Sequence, residues 1–287
     1  MATPTTAGLV AIVRQYYREG YYPSKKKQAQ DGFIPSSALL KASVINSGTD
    51  LQTVSNDYLT SFKILPRTEI GCFYQGFGRV QLDKVLAFEE SKRILQIGRV
   101  KHIHNTDNRF NTQVGSTNVT TEFGDPVIDS VKTYHYYYLK ALNEKNKISN
   151  VKITLVWADY PGSPSSSSQL VNDLDLLVQV GTQQYYGNSQ LKEKNSGVGS
   201  TAGERDFRNN VEQVWIDESS VGIIIKVSAS YIFRPQSYAL VVTGENIELE
   251  VSNIINPSQS LSHASPIAHV SLVLVALLIM ACLSIIC

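Results

Sequence analysis

Seven short runs of β-branched, aromatic and leucine residues dominate the chain between residues 93 and 248. They start with RILQIGRVKHIH and SVKTYHYYYLKAL and continue to QSYALVVTG, and glycine, asparagine, serine or proline separates each run from the next. Such residues fit the half-buried surface of a pleated sheet, and the spacing of the runs favours antiparallel pairing over βαβ units. The pattern predicts an antiparallel β-sandwich, or jelly roll, over residues 93–248.

The first 92 residues have a different, helical character. Apolar residues recur at helical spacing from Pro4 to about residue 17, and proline is tolerated in the first turn of a helix. The run IPSSALLKASVINSG predicts a second helix, with Ser36 or Ser37 as its N-cap and Gly48 as its stop. A shorter helical segment is predicted over residues 82–88. We therefore place a domain boundary near residues 90–98.

Composition and charge limit the classes of partner. The chain is 43% hydrophobic and 18% charged, with a formal net charge of +1, which is typical of a sequence that folds around a core. Because duplex nucleic acid requires a concentrated basic surface, no nucleic-acid partner is expected. The strongest basic run, Lys25 to Lys27, lies among turn formers and predicts a solvated loop. The three cysteines show neither a disulfide framework nor zinc-ligand spacing.

The C-terminal end carries an uncharged run over residues 270–287, preceded by a polar stretch over residues 249–269 that reads as a stalk. The run is just long enough to span a bilayer as a helix. It also fits a lipid-anchor signal, because small residues such as Ser258 or Ser260 stand upstream of it. Both interpretations place the remaining chain at the cell surface or on the extracellular side of a membrane, anchored by residues 270–287. A glycosylation sequon at Asn118 agrees with that location.

The string LVNDLDLLV predicts a cluster of oxygen ligands at one end of a strand. Asp173 and Asp175 lie on one face because side chains alternate along a strand, and Asn172 stands beside them. Two adjacent carboxylates repel each other unless a cation lies between them, so calcium is the predicted ligand. Calcium needs six to eight oxygens, and the candidates from neighbouring loops are Asp159, Asp206 and Asn209. In the alternative interpretation the two carboxylates are exposed or bind backbone N–H groups at the strand end.

Several segments together resemble the subtilisin-like serine proteases, or subtilases. MATPTTAGLVA resembles the second half of the G-T-S-M-A-T-P signature that surrounds their catalytic serine. PSSALLKASVINS resembles the helix that follows, and QGFGRVQLDKVLAF resembles the G-x-G-x-V segment near the end of their catalytic domain. ITLVWADYPGSPSSSSQLVNDLDLLVQV and RNNVEQVWIDESSVGIIIKVSA are similar to the jelly-roll domain that follows in one subclass.

The resemblance implies a C-terminal fragment of a subtilisin-like serine endopeptidase that acts on protein or peptide substrates. Residues 1–92 would be an α+β remnant containing the last helices of the α/β catalytic domain. An antiparallel jelly-roll sandwich over residues 93–248, the stalk over 249–269 and the hydrophobic helix over 270–287 would follow. Jelly rolls of this subclass tend to bind calcium, which agrees with the cluster around Asp173.

The catalytic triad is expected upstream of this sequence. In subtilases the nucleophilic serine directly precedes the methionine of the signature, and the histidine and aspartate precede the serine along the chain. No residue of this chain is therefore assigned a catalytic role, and we expect the chain by itself to be inactive. With most of the catalytic sheet missing, the helices of residues 1–90 are expected to leave their apolar faces exposed.

A second function class stays open. The chain is also consistent with a membrane-tethered, non-catalytic jelly-roll module that acts in binding, adhesion or substrate docking. The sequence upstream of Met1 separates the two hypotheses, because only the protease hypothesis requires Gly-Thr-Ser in frame at that place.

Overall fold

The computed structural model describes residues 2–51, 53–55, 61–63, 76–98, 125–189 and 205–252. The chain divides into two compact units, Met1–Ser252 and Asn253–Cys287. The second unit, which contains most of the predicted stalk and the whole hydrophobic run, lies outside the described residues.

Two α-helices and twelve β-strands are formed within the described residues. They are α1 (Ala2–Arg18), α2 (Ser37–Asn46), β1 (Thr53–Ser55), β2 (Ser61–Lys63), β3 (Arg93–Gly98), β4 (Val127–Ile128), β5 (His135–Ala141), β6 (Ile148–Trp157), β7 (Asp173–Val180), β8 (Gln183–Tyr186), β9 (Val211–Ser219), β10 (Ile223–Tyr231), β11 (Gln236–Glu245) and β12 (Ile247–Ser252). All seven strand-forming runs of the sequence contain a strand, so the predicted β-rich character is confirmed.

The strands build two larger antiparallel sheets and one small pair. The first sheet has the order β12-β5-β10-β7-β8, and the second has the order β3-β11-β6-β9 with β4 also paired to β11. Strands β1 and β2 pair with each other. Every pairing is antiparallel. Sequence neighbours such as β11 and β12 lie in different sheets, which sequence reasoning alone does not reveal.

The two sheets enclose a common hydrophobic core. Leu176 and Ile225 of the first sheet and Leu155 and Leu240 of the second are fully buried in it. Along β9 the core residues are Val214 and Ile216, as the two-residue period of a strand requires. Tyr137 of β5 is also buried in this core.

The two predicted helices form where the sequence places them. Pro4 lies in the first turn of α1, where its missing N–H costs nothing. Ser36 is the N-cap of α2, and its hydroxyl accepts a hydrogen bond from the Leu39 N–H at 3.1 Å. The predicted helix over residues 82–88 is wrong beyond its first turn, because only Leu82–Lys84 is helical, as a 3₁₀ turn. The apolar residues that follow are drawn into the core instead.

The outer face of the second sheet is covered by the helices. A second hydrophobic cluster joins Val13 and Tyr17 of α1 and Leu39 of α2 to Val156 and Val241 of the sheet. The expectation that the helices expose their apolar faces is therefore wrong for α2 and the C-terminal half of α1. The sheet that follows in sequence supplies the apolar surface that these helices require.

Two further observations concern the predicted boundaries. β12 pairs with β5 through Ser252, so sheet structure continues four residues into the stretch predicted as a stalk. Within the described residues, no helix combines the length and the apolar character needed to cross a bilayer. The predicted helix over residues 270–287 lies outside the described part of the chain.

Candidate functional site

The residues predicted from LVNDLDLLV lie where β7 begins, at the end of the sandwich where the β6–β7, β8–β9 and β10–β11 loops meet. Asn172 directly precedes the strand and is fully buried. Its side-chain N–H₂ donates to Gln236 Oε1 at 2.8 Å, and its side-chain oxygen accepts from the Phe233 N–H at 2.7 Å. Its backbone C=O accepts from the Trp157 indole N–H at 3.0 Å. Asn172 therefore ties three segments together, and its amide is occupied by the fold.

Asp159, a candidate from the β6–β7 loop, has a structural role of the same kind. Its carboxylate accepts hydrogen bonds from the backbone N–H groups of Tyr160, Val171 and Asn172 at 2.6–2.9 Å. These bonds close the loop between the two strands. A carboxylate with three N–H partners has little capacity left for a cation.

Asp206 and Asn209, the candidates from the β8–β9 loop, bind each other. The Asn209 side-chain N–H₂ donates to Asp206 Oδ2 at 2.7 Å, and the Asn188 side chain donates to the same oxygen at 2.7 Å. The other Asp206 oxygen accepts from the backbone N–H of Arg208 at 3.0 Å. This network folds the loop back on itself.

Asp175 is buried, with a relative exposure of 2%, and it faces an arginine. Arg205 Nη1 lies 3.2 Å from Asp175 Oδ2, and the Ser230 hydroxyl donates to the same oxygen at 2.8 Å. Arg205 also donates to Ser230 at 2.6 Å. We expected a positive charge beside this carboxylate, and the guanidinium group of Arg205 supplies it. Asp175 Oδ1 has no hydrogen-bond partner.

Glu212 is the member of the cluster that sequence analysis missed. It lies on β9 with a relative exposure of 1%, and its Oε2 accepts from the Leu176 N–H at 2.6 Å. Gly187 makes room for it, because a Cβ at that position would overlap the Glu212 carboxylate. The burial of Glu212 could have been predicted from the run NVEQVWID. The two-residue period of a strand places Glu212 on the same face as the core residue Val214.

Burial raises the pKa of two acids at this end of the sandwich, Asp173 and Glu212. The pKa of Asp173 is raised to about 6, first by burial and then by the neighbouring charges of Asp175 and Asp206. The pKa of Glu212 is raised well above its usual value, again first by burial, although the Leu176 N–H opposes the shift. The same three aspartates add to the rise at Glu212. Asp173 and Glu212 therefore retain their protons at pH values where exposed carboxyl groups are ionised.

The fit to a metal ion is partial. One oxygen each of Asp173, Asp175 and Glu212 is buried without a hydrogen-bond partner, which is the kind of atom that a cation would complete. However, the described residues contain no group of three or more His, Cys, Asp or Glu side chains arranged to hold a metal ion. Calcium at this cluster stays a prediction. The predicted glycosylation site at Asn118 lies outside the described residues.

Two of the segments that resemble subtilases can be located in the structure, at the start of α1 and around Gly78. Residues 2–11, which belong to the MATPTTAGLVA segment, form the first turns of α1, and residues 2–8 are exposed. Gly78 of the QGFGRV segment has φ +86°, and its Cα lies against the backbone oxygen of Thr49. A side chain at this position would be strained and would clash. The glycine is thus required by the pairing of Thr49 with Arg79.

Comparison with known proteins gives three relatives from Dictyostelium discoideum. The chain is 30% identical over 249 residues to the serine protease/ABC transporter B family protein tagA, covering 84% of this chain and 12% of that protein. It is 27% identical to tagD over 274 residues and 25% identical to tagB over 272 residues, both with the same family name. These matches cover 87% and 86% of this chain, and 14% and 13% of the relatives. No protein-family model matches the chain.

The chain therefore spans only between 12% and 14% of the length of the curated relatives it matches. At least 84% of this chain is aligned in each case. The chain is related in sequence to proteins that are named serine proteases, and it corresponds to one short part of them.

Proposed function

We propose that this chain is the part of a subtilisin-like serine endopeptidase that follows the catalytic serine. The observation that carries the proposal is the match of most of the chain to three proteins named serine protease. The proposal concerns the protease part of that name alone, because the resembling segments of this chain are subtilase segments. Its substrates would be proteins or peptides.

The position of the resembling segments supports this proposal. A serine directly before Met1 would stand at the N-terminal end of α1, where unpaired backbone N–H groups and the helix dipole stabilise a developing oxyanion. The exposed first turns of α1 are available for contact with the upstream part of the polypeptide, which would carry the histidine and aspartate. The β-rich remainder would be the jelly-roll domain that follows the catalytic domain.

Sequencing the gene and transcript upstream of the Met1 codon tests the proposal. We expect an in-frame Gly-Thr-Ser directly before Met1, with histidine and aspartate motifs farther upstream. Peptide hydrolysis is expected from the polypeptide that includes this upstream part and not from the present chain. An in-frame stop codon directly upstream of Met1 would contradict the protease proposal.

We propose that the protein is held at the cell surface by residues 270–287, as a single span or as a lipid-anchor signal. Labelling of intact cells with an impermeant biotin reagent is expected to mark the protein. Release by a phosphoinositide-specific phospholipase would identify a lipid anchor, and retention would identify a span. Protein found only inside the cell would contradict this location.

We also propose a calcium site at the acidic cluster, which consists of Asp173, Asp175 and Glu212 with Asn172 beside them. The unpaired oxygens of Asp173 and Asp175 support it, whereas the Arg205 contact opposes it. Calcium is expected to raise the melting temperature of the full chain, and Asp173→Asn should remove that increase. Magnesium, which demands a stricter octahedron, serves as the control ion. An unchanged melting temperature in millimolar calcium would remove the site.

The alternative function is a membrane-tethered, non-catalytic jelly-roll module for binding or adhesion. One observation favours it: α1, α2 and the second sheet share a hydrophobic cluster within one compact unit. The chain can therefore bury its apolar surfaces without a catalytic sheet. A mature transcript that begins at Met1, together with a folded product, would favour this alternative.

A further inference from the structure

A basic cleft of about 510 Å³ lies at the end of β11 that is opposite to the acidic cluster. The first residue of β11, Gln236, binds Asn172 of the acidic cluster, whereas Glu245 at its last position lines the cleft. Besides the end of β11, the walls come from three regions that are far apart in sequence: the loop after α1, the start of β3 and the turn between β5 and β6. Each region contributes one lysine, and these are Lys25, Lys92 and Lys147.

Lys25 is held in place by the fold. Its backbone has φ +66°, and its ammonium donates to the Ser91 C=O at 2.8 Å. Partial burial lowers its pKa. Its neighbours behave differently, because Lys26 and Lys27 form exposed ion pairs with glutamates. The basic run is therefore not uniformly solvated, and Lys25 keeps two N–H donors for another partner.

Lys147 stands on a fixed turn. The Asn246 side-chain N–H₂ donates to the C=O groups of Asn143, Asn146 and Lys147 at 2.8–3.3 Å, which closes the turn against the end of β11. The Lys147 ammonium forms an ion pair with Glu218 at 3.0 Å, and both side chains are more than half exposed. Exposed pairs of this kind contribute little stability, so Lys147 can exchange Glu218 for another carboxylate.

Lys92 is exposed, and none of the described residues forms an ion pair with it. The cleft is lined by a single acidic residue, Glu245, whose carboxylate accepts from the Asn150 amide at 3.2 Å. Arg93 also lies close enough to Glu245 for their charges to interact. The lining thus carries two more positive than negative charges, although the net charge of the whole chain is only +1.

We propose that this cleft binds an acidic segment of another polypeptide, whose carboxylates meet Lys25, Lys92 and Lys147. Lysine ammonium groups are point charges, and here they stand on three separate segments, which suits several spaced carboxylates. Phosphate sites commonly use a helix N-terminus, a nest of backbone N–H groups or bidentate arginines. Among the described residues, no arginine and no helix lines this cleft. The inference does not depend on the proposed protease function, because binding and hydrolysis are separate measurements.

Fluorescence anisotropy of a labelled hexa-glutamate peptide, titrated with the full chain, tests the inference. Binding is expected at 50 mM NaCl and should weaken at 300 mM NaCl, because exposed charges are screened. Lys92→Glu should weaken binding by about tenfold or more, since it turns attraction into repulsion at the lysine that has no internal partner. Lys147→Gln should weaken it less, because Glu218 already competes for that ammonium.

Lys132→Glu is the matched control, because Lys132 is an exposed lysine outside the cleft and the net charge changes equally. The inference holds if Lys132→Glu binds like the unmodified chain. Equal weakening by Lys92→Glu and Lys132→Glu would show a net-charge effect alone and overturn it. Displacement of the peptide by tripolyphosphate at a lower concentration than by unlabelled hexa-glutamate would also overturn it, in favour of a phosphate site. An absence of peptide binding at 50 mM NaCl would also overturn the inference.

Discussion

At the residue scale, Glu212 is an ionisable group in an apolar position. It is 1% exposed, and among the described residues its carboxyl group has a single hydrogen bond, which it accepts from the Leu176 N–H. Ionisation there would leave a buried charge without a counterion, because the nearby Arg205 binds Asp175. The protonated form avoids that cost, and the raised pKa follows from it.

The stability of the chain in calcium-free buffer is expected to fall as the pH rises from 5 to 8. The unfolded chain releases the protons of Asp173 and Glu212 near their usual pKa values of 3.8 and 4.5, whereas the folded chain retains them to higher pH. The folded state therefore binds more protons in this window, and the free energy of unfolding decreases with pH. The melting temperature should fall by an amount on the order of a few degrees.

Glu212→Gln should reduce this pH dependence, because the amide oxygen still accepts from the Leu176 N–H but cannot ionise. Thermal unfolding of both proteins at several pH values measures the effect. Glu218→Gln, an exposed glutamate on the same strand, is the control and should leave the slope unchanged. Identical slopes for Glu212→Gln and the unmodified chain would refute the explanation.

Gly187→Ala should destabilise the chain by about 1–3 kcal/mol, because the added methyl group overlaps the Glu212 side chain. Gly8→Ala is the matched control. A Cβ at Gly8 meets no atom within 4 Å in the exposed first half of α1, so alanine should stabilise the chain by about 0.5–1 kcal/mol. Urea denaturation measures both values. Equal effects of the two substitutions would contradict this account of Gly187.

At the scale of elements, Asn46 joins α2 to the second sheet. Its side-chain N–H₂ lies within 3.0–3.2 Å of the Lys152 C=O, the Thr154 hydroxyl and the Val241 C=O. Its side-chain oxygen accepts from the Thr243 hydroxyl at 2.7 Å. Asn46 is 1% exposed. The helix is thus fixed on the sheet by directed hydrogen bonds in addition to apolar packing.

Asn46→Ala is expected to cost about 2–4 kcal/mol of unfolding free energy, because it leaves several buried polar groups without a partner. Thr243→Val should cost less, since it removes one hydroxyl and keeps the shape. The double variant should be less destabilised than the sum of the two single variants, because both remove the same hydrogen bond. Additive effects in denaturant unfolding would show that the two side chains act independently.

In the described molecule as a whole, the second sheet contributes buried side chains to two hydrophobic cores, one on each face. The inner face of the second sheet packs on the first sheet, and its outer face packs on α1 and α2. Because β6, β9 and β11 each contribute buried side chains to both faces, the helices and the sandwich are expected to unfold together.

A chain that begins at residue 93 should therefore be less stable than the full chain. Removal of the helices exposes apolar residues of the sheet, among them Val156, Val211 and Val241. The melting temperature is expected to fall by at least about 5 °C, with increased binding of an apolar dye. Deletion of residues 2–8, which are exposed, is the control and should change the melting temperature little. An unchanged melting temperature on removal of residues 1–92 would show that the sandwich is independent of the helices.

Much of the local structure follows from the sequence. The turn-separated runs predict the antiparallel strands, and Ser36 and Pro4 fix the starts of the helices, because caps and residue periodicity act over a few neighbouring residues. Five shorter strands, β1, β2, β4, β8 and β12, were not predicted. They are short or polar, and pairing with a neighbouring strand stabilises them more than their own composition does.

Residue patterns along the chain were enough to predict the type and approximate place of most helices and strands. They also predicted a resemblance to subtilases, of which the relatives support the coarser part, a relation to proteins named serine proteases. The contacts between residues that are distant in sequence became known only from the folded structure. It showed that Arg205 faces Asp175, that Glu212 joins the acidic cluster, that α2 covers the second sheet and that three lysines from distant segments share one cleft. The physical reason is the range of the interactions: hydrogen-bonded turns and side-chain periodicity are local, whereas burial and charge pairing depend on residues that only the folded chain brings together.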